Sequence, residues 1–87
     1  MRIDKYLKVS RILKKRTVGK ELAENERLYI NGKPVKAAHE IKVGDVITIE
    51  FGHRRFSVRV LEIKDSASKQ EALSMYEVIE ESKKDEL

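Results

Sequence analysis

Between Arg2 and Lys20 the basic residues Arg2, Lys5, Lys8, Arg11, Lys14, Lys15, Arg16 and Lys20 are opposed by one carboxylate, Asp4. Long cationic side chains at this density suit a polyphosphate, because each can neutralise one of several successive charges. Arginine adds a planar fork for bidentate phosphate contact and for stacking on bases, which sets Arg2, Arg11 and Arg16 apart from the lysines. Ile3, Leu7, Ile12, Leu13 and Val18 are interleaved with these cations and predict a stretch anchored on a core rather than a disordered tail. Tyr6 can either stack on a base or pack beside Leu7, and its helical face favours the core. Asp4 neutralises a basic neighbour, and the spacing to Lys8 suits a helical pair of about 0.3–0.5 kcal/mol.

Charge is segregated along the chain. Eleven basic and four acidic residues give positions 1–36 a charge of +7, whereas eight basic and eleven acidic residues give positions 37–87 a charge of −3. A merely solubilising surface intersperses the two signs, so the separation points to an oriented footprint for a polyanion. A solvated basic face is the plainer alternative. The 87 residues make one small domain, without cysteine and hence without disulfide, thiolate metal site or cysteine nucleophile. No apolar run reaches the length of a membrane span or a signal core, so a cytoplasmic protein without a membrane partner is expected.

The elements that must position the basic residues follow from periodicity. Ile3 to about Val9 reads as a helix with Ile3, Tyr6, Leu7 and Ser10 on one face and Arg2, Lys5 and Lys8 on another. Thr17 is the expected N-cap of a second helix, whose first amides would add an anion site beside Arg16. Gly19 costs that helix about 1 kcal/mol against Ala, which suggests close approach of another backbone. The helix should stop near Asn25 in a left-handed cap. Strands are expected at Leu28–Ile30, Val35–Ala37, Val46–Phe51 and Phe56–Leu61, with Asn31-Gly32 and Gly52–Arg55 as turns and Pro34 marking an edge. In the last of these strands Phe56, Val58 and Val60 should face inward and Ser57 and Arg59 outward. Ser68 and Glu71 have capping-box spacing, and Ala72, Met75, Tyr76 and Ile79 suit a short helix, although Tyr76–Glu80 also reads as extended. Helices first and an antiparallel sheet second make the class α+β.

Catalytic signals are sparse. His39 and His53 fall in turns without a partner spaced for a metal, and the four glycines are isolated. The serines lack an elbow motif, and no cofactor or metal is implied. The reading is a binding protein and not an enzyme.

Four separated motifs then carry a resemblance. Arg2-Ile3-Asp4-Lys5-Tyr6-Leu7, Thr17-Val18-Gly19-Lys20-Glu21-Leu22, Leu28-Tyr29-Ile30-Asn31-Gly32-Lys33-Pro34-Val35 and Val43-Gly44-Asp45-Val46-Ile47 occur in the order and spacing of the S-four RNA-binding domain, or alpha-L motif. The resemblance covers about residues 1–52. It implies two helices packed on a small, mainly antiparallel sheet, with RNA met by the helical pair. Many members close the second helix with Gly, where this chain has Asn25-Glu26. The expected layout is an S-four-type domain with an extended sheet over 1–64, then a C-terminal helix and a charged tail over 65–87, the tail from about Glu80.

Arg2–Lys20, the Phe51-Gly52 junction and Ala72-x-x-Met75-Tyr76 extend the likeness, over nearly the full length, to the RqcP family of bacterial ribosome-associated quality control. That likeness implies a factor on obstructed 50S subunits, touching 23S rRNA and peptidyl-tRNA while its partner RqcH drives alanine tailing. Arg2, Asp4 and Arg16 match family positions implicated in that contact. Lys5, Lys8, Arg11, Lys14, Lys15, Thr17 and Lys20 join the expected RNA-binding set from charge and position. A monomer is expected. The alternatives are a general 50S assembly or recycling factor of the ribosome-associated heat-shock type, or a basic adaptor for an acidic protein or anionic membrane.

Overall fold

The first helix is held by backbone, not by a capping side chain. In the computed structural model, which describes residues 1–83, α1 spans Ile3–Val9 and buries Ile3, Asp4, Tyr6 and Leu7. A helix leaves its first amides without intrahelical partners. Here the 37–41 connection supplies them: the Ile3 amide donates to the His39 carbonyl at 2.8 Å and the Asp4 amide to the Ala37 carbonyl at 3.3 Å. The Ile41 amide donates back to the Met1 carbonyl at 3.0 Å, closing the clamp. Tyr6 is fully buried and its hydroxyl donates to the Met75 carbonyl at 2.7 Å, so its ring belongs to the core and does not stack on a base. The expected Asp4–Lys8 pair does not form, because Asp4 is buried and turns to two arginines while Lys8 stays exposed.

Ile12 and Leu13 turn inward as expected, with the Leu13 amide donating to the Leu7 carbonyl at 3.0 Å. The second helix, α2 (Arg16–Glu24), begins one residue before Thr17, with extended Lys15 at the N-cap and no side-chain cap. Thr17 is therefore an exposed first-turn residue and not the cap. Arg16, the first residue of the helix, contacts Asp4 of α1 through its guanidinium group. The helix ends as expected before Asn25, but Asn25 keeps φ −96° and Glu26 takes the left-handed turn at φ 55°. The Arg27 amide reaches the Leu22 carbonyl at 2.8 Å and the Glu26 amide reaches that of Ala23 at 3.1 Å. This is a Schellman closure with glutamate where glycine is usual.

Five antiparallel strands follow, in the order β2-β1-β3-β4-β5. They are β1 (Leu28–Ile30), β2 (Lys33–Pro34), β3 (Val46–Phe51), β4 (Arg54–Val60) and β5 (Tyr76–Lys83). Asn31 and Gly32 both take positive φ, which a tight two-residue hairpin requires, so β2 returns at once and not at Val35. Pro34 lies in the outermost strand, where a missing donor is tolerated. Likewise only Gly52 and His53 form the next turn, and Arg54 and Arg55 are already paired with Phe51 and Glu50.

Ser57 is buried rather than outward: its hydroxyl lies 2.8 Å from that of Thr48 across the ladder, so each satisfies the other out of water. Phe51 sits at the strand end and is 40% exposed. The Ser68 capping box forms, but its helix, α3, covers only Lys69–Ala72. The residues after it pair with the open side of β4, Tyr76 opposite Val60, Glu77 opposite Arg59 and Val78 opposite Val58. The ladder slips between Val58 and Ser57, leaving Ile79 as the extra bulge residue, half exposed and not on a helical core face. Strand therefore replaces the expected tail from Glu80 to Lys83; the rest of that tail lies outside the described residues. The core forms where Ile3, Tyr6, Leu7, Leu13 and Leu22 of the helical half meet Leu28, Ile47, Ile49, Val58, Val60 and Met75.

Candidate nucleic-acid interface

Asp4 is the pivot of the helical surface. Its side chain is 0% exposed, yet it lies between two guanidinium groups that are 45% (Arg2) and 41% (Arg16) exposed. Arg2 donates to it twice, from Nε to Oδ1 at 3.2 Å and from Nη2 to Oδ2 at 3.1 Å. Arg16 donates from Nη2 to Oδ1 at 3.4 Å. Its Nε stands 3.2 Å from Oδ2 without a hydrogen bond, so this second contact is ionic: the atoms are close but the N–H is not aimed at the oxygen. The Lys5 amide completes the shell at 2.8 Å. Burial raises the Asp4 pKa, but the Arg16 hydrogen bond and charge, the Arg2 charge and the Lys5 amide outweigh it and hold the carboxyl below its usual range. Asp4 thus stays ionised and holds two guanidinium forks that remain nearly half exposed.

The helix packing that makes this possible runs through Gly19. A Cβ there would stand 3.5 Å from Cα and Cβ of Asp4 and 3.6 Å from Cδ1 of Leu13. The inferred close approach is therefore present and is to α1. These are ordinary contact distances, so alanine fits and only larger side chains would push the helices apart.

The expected site residues divide into groups. Arg2, Asp4 and Arg16 form the cluster just described, and Lys20 shares with Arg2 a groove between α2 and the 36–38 turn. Lys14 and Lys15 are exposed on the approach to α2, and Thr17 is exposed in its first turn. Lys5 and Arg11 turn the other way, toward the segment before α3: Lys5 Nζ lies 3.5 Å from Asp65, and Arg11 Nη2 donates to the Ala67 carbonyl at 3.4 Å. Lys8 and Arg11 line a small hollow with Asp65 and Ser66. Arg11 also takes a left-handed backbone, φ 64°, in the turn between the helices.

One cation escaped the sequence reading. Lys36, in the connection after β2, lines the same groove as Arg2 and Lys20. Only the fold brings it there, through the Asn31-Gly32 turn and the clamp of residues 37 and 39 on α1. Two of the sheet arginines, in contrast, are engaged within the sheet. Arg59 Nη1 lies 2.9 Å from Glu77 and Arg55 Nε 3.6 Å from Glu80.

The chain is similar to known proteins. The S4 domain family profile matches residues 1–47. The RQC P-site tRNA stabilizing factor of Streptococcus pneumoniae is 50% identical over 99% of this chain and 98% of its own length. The Bacillus subtilis protein of the same name is 47% identical over 95% and 96%. Among solved structures, heat shock protein 15 of Vibrio cholerae, described as trimeric, superposes with a TM-score of 0.82 at 26% identity, covering 91% of this chain and 81% of that one. The chain belongs to the S4 domain family and, within it, to the family of RQC P-site tRNA stabilizing factors.

Proposed function

We propose that this protein is a non-catalytic RNA-binding factor of bacterial ribosome-associated quality control that holds peptidyl-tRNA on obstructed 50S subunits. The observation that carries the reading is the Arg2–Asp4–Arg16 cluster, in which one buried carboxylate presents two half-exposed guanidinium groups from the junction of α1 and α2. Preorganised forks lose little freedom on meeting a phosphate, and the lysines around them supply the salt-dependent remainder. The similarity to proteins named RQC P-site tRNA stabilizing factor supports tRNA as one ligand. The 23S rRNA is the other, with Lys14, Lys15, Thr17 and Lys20 on the cluster's side and Lys5, Lys8 and Arg11 offering a second patch beside the segment before α3. In this reading the protein works as a cytoplasmic monomer beside RqcH, steadying the tRNA while RqcH adds alanine.

Co-sedimentation tests it. Arg16→Ala should weaken binding to 50S subunits carrying peptidyl-tRNA by about 10-fold or more, as removal of a charged hydrogen-bond donor implies. Unchanged pelleting would sink the assignment. A second reading, general 50S assembly or recycling, is favoured by the likeness to heat shock protein 15. It predicts equal binding to empty and obstructed subunits, whereas the first predicts preference for obstructed ones. An adaptor for membranes fits less well, because Ile3, Leu7 and Leu13 are buried in the core and unavailable to lipid.

A further inference from the structure

We propose that the RNA-binding surface continues off the helical pair into the groove between α2 and the 36–38 turn, where Lys36, with Lys20 and Arg2, holds a phosphodiester of the RNA backbone. This deepens the RNA-binding reading above and rests on it. The groove measures about 440 Å³ and carries three cations and a single carboxylate, Glu24. Its remaining walls are Ala23, Ala37 and Ala38, whose short side chains let a sugar-phosphate chain come close. Glu24 repels phosphate at the far end of α2, which directs the anion toward Arg2.

The side-chain ammonium groups of Lys20 and Lys36 are exposed and have no hydrogen-bond or ion-pair partner among the described residues, unlike those of Lys5 and Lys64. What separates Lys36 from other unpaired lysines such as Lys8 and Lys69 is that its position is fixed by the fold. The carbonyls of Ala37 and His39 accept from the Asp4 and Ile3 amides, so the turn is tied to the helix that carries Asp4. Lys36 also borders a second groove of about 730 Å³ that contains Lys33 and His39. Lys36 and Ala38 thus line both grooves, and a backbone lying across Arg16 and Arg2 meets Lys36 where the grooves adjoin.

The test is the salt dependence of binding by the full-length protein to purified 50S subunits carrying peptidyl-tRNA. Lys36→Ala should weaken binding roughly 3- to 10-fold and lower the slope of log K against log salt by about 1, the signature of one lost phosphate contact. Lys36→Arg should keep both, and Lys69→Ala, an exposed lysine on α3, should change neither. If Arg16→Ala loses binding while Lys36→Ala keeps affinity and slope, the groove assignment is overturned and the helical site stands. Equal losses from Lys36→Ala and Lys69→Ala would also overturn it, since they would mark a general charge effect. If Arg16→Ala binds normally, the underlying RNA reading fails and the groove fails with it.

Discussion

The helical pair and the outer face of the sheet carry the same kind of side chain and use it differently. On the sheet, Arg59 and Arg55 each meet a glutamate of β5, Glu77 at 2.9 Å and Glu80 at 3.6 Å. Both members of each pair are about half exposed, so each pair contributes about 0–1 kcal/mol and cancels its own charge. On the helices a single carboxylate serves two arginines, and Lys8, Lys14, Lys15 and Lys20 have no partner among the described residues. The excess charge there is not neutralised by the fold, as the proposed interface requires. Counting basic residues does not reveal this difference; counting the carboxylates that fold against them does.

The contrast is broken most severely at Asp4. Asp4→Ala leaves two guanidinium groups facing each other over a buried void. It should cost about 2–3 kcal/mol, below the usual penalty for splitting a fully buried ion pair because both arginines reach water. Urea unfolding measures that loss, and pelleting with 50S subunits should show binding fall with it. A variant of unchanged stability would mean that the cluster is only a surface contact.

The same cluster should leave a trace in acid. The folded-state pKa of Asp4 lies below its ordinary 3.8. Its contribution is therefore complete above the unfolded value and is lost as pH falls through that value toward the lower folded one. The urea midpoint of the native protein should drop more steeply below about pH 4 than that of Asp4→Asn. Parallel profiles would contradict the assigned shift.

Two smaller effects sharpen the comparison. Glu26 holds a left-handed backbone, φ 55°, at the end of α2. Glu26→Gly should relieve about 1 kcal/mol of strain, read as a raised unfolding midpoint with unchanged 50S binding. Arg59→Ala should be milder still, below about 0.5 kcal/mol, because its partner Glu77 is half solvated.

Much of this was legible in the residues. Ile3, Tyr6 and Leu7 recur at helical spacing, and Asn31-Gly32 demands a tight hairpin, so α1, β1 and their order follow from local rules. The cation-rich stretch was visible for the same reason. The misses have tertiary causes. Thr17 is an excellent cap by type, but the helix starts one residue earlier, at Arg16, whose guanidinium group contacts Asp4. Asn25 suits a left-handed turn better than Glu26, yet the turn that carries the chain into Leu28 falls one residue later. Tyr76–Glu80 fits both a helix and a strand, and the unpaired side of β4 decides. Lys36 had no local signal at all, since only hairpin closure brings it beside Arg2. The pairing of Arg55 and Arg59 was equally hidden, because Glu77 comes opposite Arg59, and Glu80 opposite Ser57 within reach of Arg55, only when β5 forms.

The most direct test of the central claim compares one arginine from each region under the same conditions. Arg16→Ala and Arg59→Ala each remove one positive charge, and only the first lies on the helical surface. In co-sedimentation with 50S subunits carrying peptidyl-tRNA, Arg16→Ala should lose about 10-fold or more in affinity while Arg59→Ala binds like the native protein. Equal losses from the two, or a larger loss from Arg59→Ala, would contradict the account.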